Sequence, residues 1–244
     1  MQPLPPIAVL GRGRLGRWVH TRLRAGGHDA VALGRGDAVP ARAAWVYLCV
    51  PDRALGAAAA AVPPGRLVLH ASGATGLAPL RPHTPAGVLH PLMTFPAAGP
   101  PAGEIPAAVD GDPAARDAAE RLAVALGWSP FPRPADPILY HAAAVLAGNF
   151  ASALLVFGAE VLAAAGHDRD TARARLLPLV RASVEAAAAA PFSEALTGPL
   201  ARGDAATVAA HLGALAALDP SLASLYAAFR APVEAALARA RGEP

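Results

Sequence analysis

A glycine pattern near the start of the chain constrains the fold more than any other feature. The apolar run Ile7–Leu10 leads into it, and a helical pattern follows. In that context Gly11 permits a tight turn, Gly13 lets the backbone approach a pyrophosphate, and Gly16 permits close packing of the helix on the strand. The free N–H groups at the start of the helix favour phosphate. An ordinary glycine-rich turn is the alternative. The pattern predicts a dinucleotide site made by Gly11, Arg12, Gly13, Arg14, Leu15 and Gly16.

Short apolar runs alternate with helical patterns through the first half of the chain. This alternation is typical of an α/β fold with a Rossmann-type doubly wound parallel sheet. The predicted helices are Leu15–Ala25, Arg53–Ala61 and Pro113–Leu126, the last ended by Gly127. The predicted strands are Ile7–Leu10, Asp29–Leu33, Trp45–Val50, Leu67–His70, Val88–Leu89, Ala107–Val109 and Trp128–Phe131.

A proline-rich stretch, residues 130–137, separates this half from one with helical periodicity only. We therefore predict a dinucleotide-binding domain over residues 1–134, followed by an all-α domain for substrate binding or dimerisation over residues 135–244. Asp204 and Ser221 are the predicted N-caps of two of its helices. The predicted helices are Ile138–Ala165, Thr171–Ala190, Asp204–Leu218 and Ser221–Arg241.

Composition excludes several classes of protein. The net charge is +3 without any run of basic residues, which argues against a nucleic-acid partner. Cys49 is the single cysteine, so neither an intrachain disulfide nor a thiolate metal cluster can form, and we expect the reducing cytoplasm. The first residues lack the basic and apolar regions of a signal peptide. The eight histidines are scattered, and we predict no metal site.

One segment is long enough to span a bilayer. Residues 137–159 carry no acidic residue and no basic residue other than His141. The segment also holds Tyr140, Asn149 and Ser152, and polar groups at that density are costly in lipid. We interpret it as a buried helix of a soluble domain and expect no membrane partner.

The end of the second predicted strand bears on which dinucleotide binds. NAD sites normally place Asp or Glu there to bind the ribose 2′-hydroxyl. Here the strand ends in Leu33-Gly-Arg35-Gly, and the Arg35 guanidinium can pair with a 2′-phosphate, helped by Arg12 or Arg14. A solvated loop arginine is the alternative, and Asp37 keeps NAD open. We predict NADP(H).

Polar residues follow three further strands of the predicted sheet. The segments 50–52, 70–73 and 90–94 would meet at its carboxyl edge, where ligands bind. Each polar residue taken singly is more often a hydrogen-bonded structural residue. We assign Val50 and Pro51 to the cofactor, Ser72 to the cofactor and to catalysis, and His90 to the substrate.

The first helix of the helical half carries a polar stripe. His141, Val145, Gly148, Asn149 and Ser152 share one face at α-helical spacing. Polar groups on an apolar helix need a partner or a ligand, and hydrogen bonding within the core is the alternative. We predict His141 and Asn149 as catalytic residues.

A compact polar loop is predicted over residues 196–204. We assign Thr197 and Arg202 to the substrate, with Arg202 able to clamp a carboxylate. Asp204 at its end can cap the helix that follows.

Seven motifs spread over almost the whole chain carry a family resemblance. They are Gly11-x-Gly13-x-x-Gly16, Val50-Pro51-Asp52-Arg53, His70-Ala-Ser-Gly73, His90-Pro91, Tyr140-His141-Ala-Ala, Asn149-Phe150 and Leu196–Asp204. Together they resemble bacterial Rossmann-like proteins whose C-terminal helical domain has no assigned function. That family is similar in plan to 6-phosphogluconate dehydrogenase, 3-hydroxyisobutyrate dehydrogenase and ketopantoate reductase.

The resemblance implies an NADP-dependent oxidoreductase that reduces a small 2-oxo acid, with ketopantoate as one candidate and a homodimer as the expected assembly. The better-known relatives place a lysine on the first long helix of the second domain, and this chain has no lysine. His141 is the candidate proton donor there, because imidazole titrates near neutral pH. Asn149 would orient the substrate or polarise its carbonyl. A non-catalytic NADP(H)-binding or regulatory protein, or a structural dimer with a degenerate site, is the alternative.

Overall fold

The computed structural model describes residues 3–97 and 103–240. The chain divides into two compact units, Met1–Gly148 and Asn149–Pro244. This division falls later than the predicted boundary after residue 134. The helix Pro137–Ala144 belongs with the first unit, because the hydroxyl of Tyr140 lies 2.8 Å from Nδ1 of His90 in the sheet.

The first unit is built on one seven-stranded sheet with the order β2-β1-β3-β4-β5-β6-β7. The strands β1 to β5 are parallel to one another, and β6 is parallel to β7. The predicted Rossmann-type α/β fold is confirmed, with one departure: β5 and β6 are antiparallel, with Gly87 paired to Gly111 and Pro91 to Ala107. The strands are β1 (Ile7–Leu10), β2 (Ala30–Leu33), β3 (Trp45–Leu48), β4 (Leu67–His70), β5 (Ala86–Pro91), β6 (Ile105–Gly111) and β7 (Trp128–Pro132).

Helices cover both faces of this sheet. α1 (Arg14–Ala25) and α3 (Pro113–Leu126) pack on one face, in a cluster with Tyr47, Leu69 and Leu89. α2 (Leu55–Ala60) packs on the other face, in a second cluster. It is shorter than predicted, because Asp52–Ala54 form a 3₁₀ turn before it. Alternate residues of each buried strand enter one cluster or the other, as expected for strands covered on both sides.

The remaining helices follow β7. α4 and α5 are two α-helical parts of one long helix, joined by a π-helical segment, Val145–Phe150. The helices are α4 (Pro137–Ala144), α5 (Ala151–Ala164), α6 (Arg169–Ala189), α7 (Phe192–Ala195), α8 (Pro199–Arg202), α9 (Ala205–Leu218) and α10 (Pro220–Ala240).

The structure tests three predicted details of these helices. Asp204 caps α9, since its side chain accepts from the N–H of Thr207. The prediction of Ser221 as a cap is wrong: α10 starts one residue earlier, and the Asp219 carboxylate accepts from the Ser221 N–H. The segment 196–204 is not a loop throughout, because its proline starts the short helix α8.

The long helix Pro137–Ala164 is the one helix within residues 3–97 and 103–240 that is long and apolar enough to cross a membrane. The prediction that it is buried is wrong for the single chain, since 6% of its most apolar 18-residue window is buried. Ile138, Leu139 and Leu146 are among its exposed side chains. Glu160 lies within the same helix, and a carboxylate there is costly in lipid.

Candidate cofactor-binding and active site

The glycine loop has the geometry that a dinucleotide requires. Gly11 has a φ of +128°, and a Cβ atom on it would overlap the Cys49 carbonyl oxygen of the neighbouring strand connection. A Cβ on Gly16 would overlap the Gly11 carbonyl oxygen. Apart from Gly13 and its two chain neighbours, no atom of the described residues lies within 4 Å of the place where a Cβ of Gly13 would stand. The first and last glycines are thus needed for packing, while Gly13 leaves open space for a ligand.

The start of α1 fits phosphate for a second reason. Gly13 is its N-cap and offers no side-chain cap, and the first turn holds no acidic residue. Its N–H groups and positive dipole end therefore favour an anion. Arg14 is exposed at this end, while Leu15 packs against the core. Val50 and Pro51, both assigned to the cofactor, follow β3, the strand beside β1.

The turn after β2 brings together two of the residues that bear on cofactor choice. Nη2 of Arg12 lies 2.8 Å from Oδ2 of Asp37, which also accepts from the Gly34 N–H at 2.8 Å. Asp37 is therefore already paired with a cation. Arg35 is exposed between Gly34 and Asp37, at the end of the strand where the sequence predicts it.

Ser72 makes the hydrogen bonds that hold the loop after β4 in place. Its hydroxyl donates to Oδ2 of Asp52 at 2.8 Å and accepts from the Thr75 N–H at 3.0 Å. The Ser72 N–H donates to Nδ1 of His70 at 3.1 Å. Because Ser72 is buried and its hydroxyl is hydrogen-bonded both to Asp52 after β3 and to its own loop, the side chain shapes the site. Its direct contact with a nicotinamide stays a prediction.

Two histidines and a tyrosine meet at the carboxyl end of β5. Nδ1 of His90 lies 2.8 Å from the Tyr140 hydroxyl, and the rings of His90 and His141 lie 6.3 Å apart. Gly73 makes room for them, since a Cβ there would stand 2.9 Å from Nε2 of His90 and 3.0 Å from Cδ2 of His141. The structure thus brings the predicted residues His90 and His141 together across 51 positions of sequence, and adds Tyr140.

A buried arginine that the sequence analysis did not single out completes this cluster. Nη1 of Arg133 donates to the Thr75 carbonyl oxygen at 2.8 Å, and its Nε lies 3.5 Å from Oδ2 of Asp110. The Arg133 side chain is 6% exposed. Asp110 pairs in register with Val88, which pairs with His70, so these residues lie side by side on one face of the sheet. The sequence offered one sign of this role: Arg133 stands between two prolines directly after a predicted strand.

Burial keeps the imidazoles of His70 and His90 neutral near pH 7. Desolvation lowers the pKa of His70 to about 4, against the opposing effect of its hydrogen bond to the Gly76 carbonyl. Desolvation, with the charge of His141, lowers the pKa of His90 to about 4. Burial raises the pKa of Tyr140 to about 12, so its hydroxyl keeps its proton and can donate to Nδ1 of His90.

Three predicted site residues belong to the second unit. Asn149 lies in the π-helical segment, Thr197 precedes α8, and Arg202 is the last residue of α8. The wider π turn breaks the α-helical spacing that placed His141 and Asn149 on one face. The roles of Asn149, Thr197 and Arg202 in the site stay predictions. Within the described parts of the chain, no group of three or more His, Cys, Asp or Glu side chains could hold a metal ion.

Comparisons with solved structures establish the fold. A candidate NADP oxidoreductase of Bacteroides fragilis is 22% identical with a TM-score of 0.79, covering 94% of this chain and 98% of that one. The reductive aminase of Aspergillus terreus, solved with NADPH and ethyl levulinate, is 18% identical with a TM-score of 0.69, covering 98% and 95%. The 1-pyrroline-5-carboxylate reductase of Streptococcus pyogenes is 13% identical with a TM-score of 0.65, covering 98% of each chain.

Sequence comparisons identify the family. A search of curated proteins gives no match. The family described as a domain of unknown function, DUF2520, matches residues 105–231, which is more than half of the chain. The finer relation to 6-phosphogluconate dehydrogenase and ketopantoate reductase stays a prediction. The chain belongs to the DUF2520 family.

Proposed function

We propose that this protein is an NADP-dependent oxidoreductase that reduces a small 2-oxo acid, with ketopantoate as the first candidate. The observation that carries the proposal is the His90–Tyr140–His141 cluster at the carboxyl edge of the sheet that also bears the glycine loop. Ligands of doubly wound sheets bind outside this edge. A cluster of imidazole and phenol groups there, in which the Tyr140 hydroxyl is hydrogen-bonded to His90, is suited to proton transfer at a substrate.

NADP is the cofactor we propose on the basis of the arginines around its expected phosphates. Arg12, Arg14 and Arg35 stand at the glycine loop and at the end of β2. Two similar structures point the same way, since one is a candidate NADP oxidoreductase and another was solved with NADPH. Bound NADPH supplies a hydride to the carbonyl carbon of the substrate.

The chain's own residues supply the proton and the orientation. His141 is the proposed donor of a proton to the carbonyl oxygen, and Asn149 is proposed to polarise that carbonyl. Thr197 and Arg202 are the proposed contacts of the substrate carboxylate. His90, whose Nδ1 lies 2.8 Å from the Tyr140 hydroxyl, is a further proposed contact of the substrate.

The test is single-turnover hydride transfer with a substrate that the wild type reduces, chosen from ketopantoate, other 2-oxo acids and cyclic imino acids. His141→Gln should slow the chemical step about 100-fold or more, the usual contribution of a general acid. Tyr140→Phe keeps the ring and removes the hydroxyl bonded to His90, so we expect a smaller loss, about tenfold, equivalent to one hydrogen bond.

Two results would contradict these assignments. An unchanged rate in His141→Gln would remove His141 as the acid and leave His90 and His70 to be tested. Tight NADPH binding without oxidation by any member of the panel would favour a regulatory NADP(H)-binding protein.

We also propose that the helical unit pairs with a second copy of the chain. Its α5, α6, α9 and α10 helices border an apolar cavity of about 560 Å³, lined by residues such as Leu154, Phe157, Leu176 and Phe229. Open apolar surface of this kind is typical of an interaction site. The family resemblance makes a homodimer the expected occupant.

The cytoplasm is the compartment we propose. The single thiol, Cys49, lies beside the glycine loop, and burial raises its pKa, so it stays protonated and unreactive. A free thiol of this kind is typical of proteins from a reducing compartment, where thiols stay reduced.

A further inference from the structure

A carboxylate occupies the place where this fold receives the adenosine ribose of a dinucleotide. Asp37 returns toward the end of β2, where its Oδ2 accepts from the Gly34 N–H and from Nη2 of Arg12, each at 2.8 Å. The side chains of Arg12 and Asp37 remain 60% and 41% exposed. A ligand can therefore reach both partners of this ion pair from solvent.

The Arg12 side chain lies beside Gly34, at the end of the strand. A Cβ on Gly34 would stand 3.4 Å from Cζ and Nε of Arg12, which is ordinary van der Waals contact. Rossmann folds place the ribose 2′ substituent at this strand end. The Asp37 carboxylate thus holds the two donors, a guanidinium and a backbone N–H, that a 2′-phosphate would use.

We propose that Asp37 is an internal counter-anion that a 2′-phosphate displaces from Arg12 and from the Gly34 N–H, and that this exchange sets the selectivity between NADP(H) and NAD(H). The inference rests on the proposed cofactor and on no particular substrate. A phosphate replaces the carboxylate because it carries more negative charge and three acceptor oxygens. The pair also keeps Arg12 in position before the ligand arrives.

Displacing Asp37 from Arg12 costs free energy when NADP(H) binds, and binding of NAD(H) does not require this displacement. The released Asp37 carboxylate stays near the bound phosphate, and like charges repel. A dinucleotide with a free 2′-hydroxyl leaves the Arg12–Asp37 pair intact. If Asp37 were instead the acceptor for that hydroxyl, as in an NAD site, it would strengthen NAD(H) binding and the two models make opposite predictions.

Asp37→Asn separates these models, because asparagine keeps a side-chain oxygen for the Gly34 N–H and removes the charge. Asp29→Asn is the matched control. Asp29 pairs with Arg42 at 3.2 Å, with side chains 46% and 59% exposed, at the other end of β2. The ligands are adenosine 2′,5′-bisphosphate and adenosine 5′-monophosphate by titration calorimetry, followed by NADPH and NADH by fluorescence.

We expect Asp37→Asn to tighten binding of the bisphosphate and of NADPH about fivefold, the effect of removing one exposed competing ion pair. Binding of adenosine 5′-monophosphate and NADH should not change, and Asp29→Asn should change none of the four. Weaker NADH binding with unchanged NADPH binding would overturn the proposal, as would equal effects of the two substitutions.

These titrations do not depend on turnover. A protein that binds NADPH as expected but reduces no substrate contradicts the proposed reaction and leaves the role of Asp37 supported. A wild-type protein that binds neither the bisphosphate nor NADPH contradicts both.

Discussion

The two compact units of this chain differ in where their large apolar side chains lie. In the first unit, side chains such as Tyr47, Leu69 and Leu122 are fully buried between the sheet and its helices. In the described part of the second unit, four hydrophobic residues are buried, and two of them are alanines: Ala159, Ala172, Val208 and Leu237. Nine larger ones are 36–62% exposed: Phe150, Leu154, Val156, Phe157, Leu179, Val184, Phe192, Leu218 and Phe229.

The difference shows that a segment can form helices readily and still gain little free energy from packing them together. Alanine has the best helix propensity, so alanine-rich segments form helices easily. It buries little apolar area, so such helices gain little by packing on each other. The larger side chains that could stabilise the second unit face outward, and they need a partner surface to be buried.

The largest expected effect comes from placing a charge on that outward surface. Leu154→Glu should convert the proposed dimer to monomer, because an unpaired carboxylate in an apolar contact costs about 3–5 kcal/mol. The molar mass by light scattering and the melting temperature should both fall, and the latter should depend on protein concentration in the wild type.

Val124→Glu is the matched control for this variant. Val124 is 47% exposed on α3 of the first unit, close to the 43% of Leu154. We expect no change in mass or melting temperature. Adenosine 2′,5′-bisphosphate binding reports on the first unit, so a Leu154→Glu protein that binds it is folded there. Retention of the dimer in such a protein would contradict the proposed contact.

The next effect is the acid sensitivity of the packed unit. The pKa of His70 and of His90 is lowered to about 4 in the folded state, so between pH 6.5 and 4 the unfolded chain binds more protons. Stability is therefore fully present above pH 6.5 and is lost as the pH falls to 4, by up to about 3 kcal/mol for each imidazole.

The slope of the unfolding free energy against pH tests this contribution. His70→Asn should flatten that slope, whatever its effect at neutral pH. His211→Gln, at an exposed histidine of the second unit, should leave the slope unchanged. An unchanged slope in His70→Asn would show that His70 titrates alike in the folded and unfolded chains.

Much of the fold follows from local sequence. The glycine loop, β1, β4 and α3 were predicted within one residue, because tight turns, apolar runs and a glycine C-cap each depend on neighbours in the chain. Gly127 ends α3 as predicted, and the structure shows it in the left-handed conformation with a φ of 78°. The antiparallel direction of β6 could not be read in this way, since it depends on how the chain returns along β5.

The candidate site depends on contacts that local patterns do not encode. His90 was predicted from its place at a strand end, but its pairing with Tyr140 requires α4 to pack on the sheet. Arg133 stood in a stretch interpreted as a linker, although its side chain is buried against Asp110. The long apolar helix was predicted to be buried because composition alone does not tell how much of a helix its own chain covers.

The smallest effect compares a glycine from each unit. A Cβ on Gly87 in β5 would stand 2.8 Å from the Asp110 carbonyl oxygen and 3.0 Å from the Cβ of Ala115, so Gly87→Ala should cost about 1–3 kcal/mol. Apart from its two chain neighbours and the backbone of its own helix, no atom of the described residues lies within 4 Å of a Cβ on Gly213 in α9. Gly213→Ala should therefore stabilise that helix by about 0.5–1 kcal/mol. Urea unfolding of both variants measures the change in unfolding free energy, which should fall in Gly87→Ala and rise in Gly213→Ala. A destabilised Gly213→Ala protein would mean that a partner already packs against α9, which would place this helix within the dimer contact.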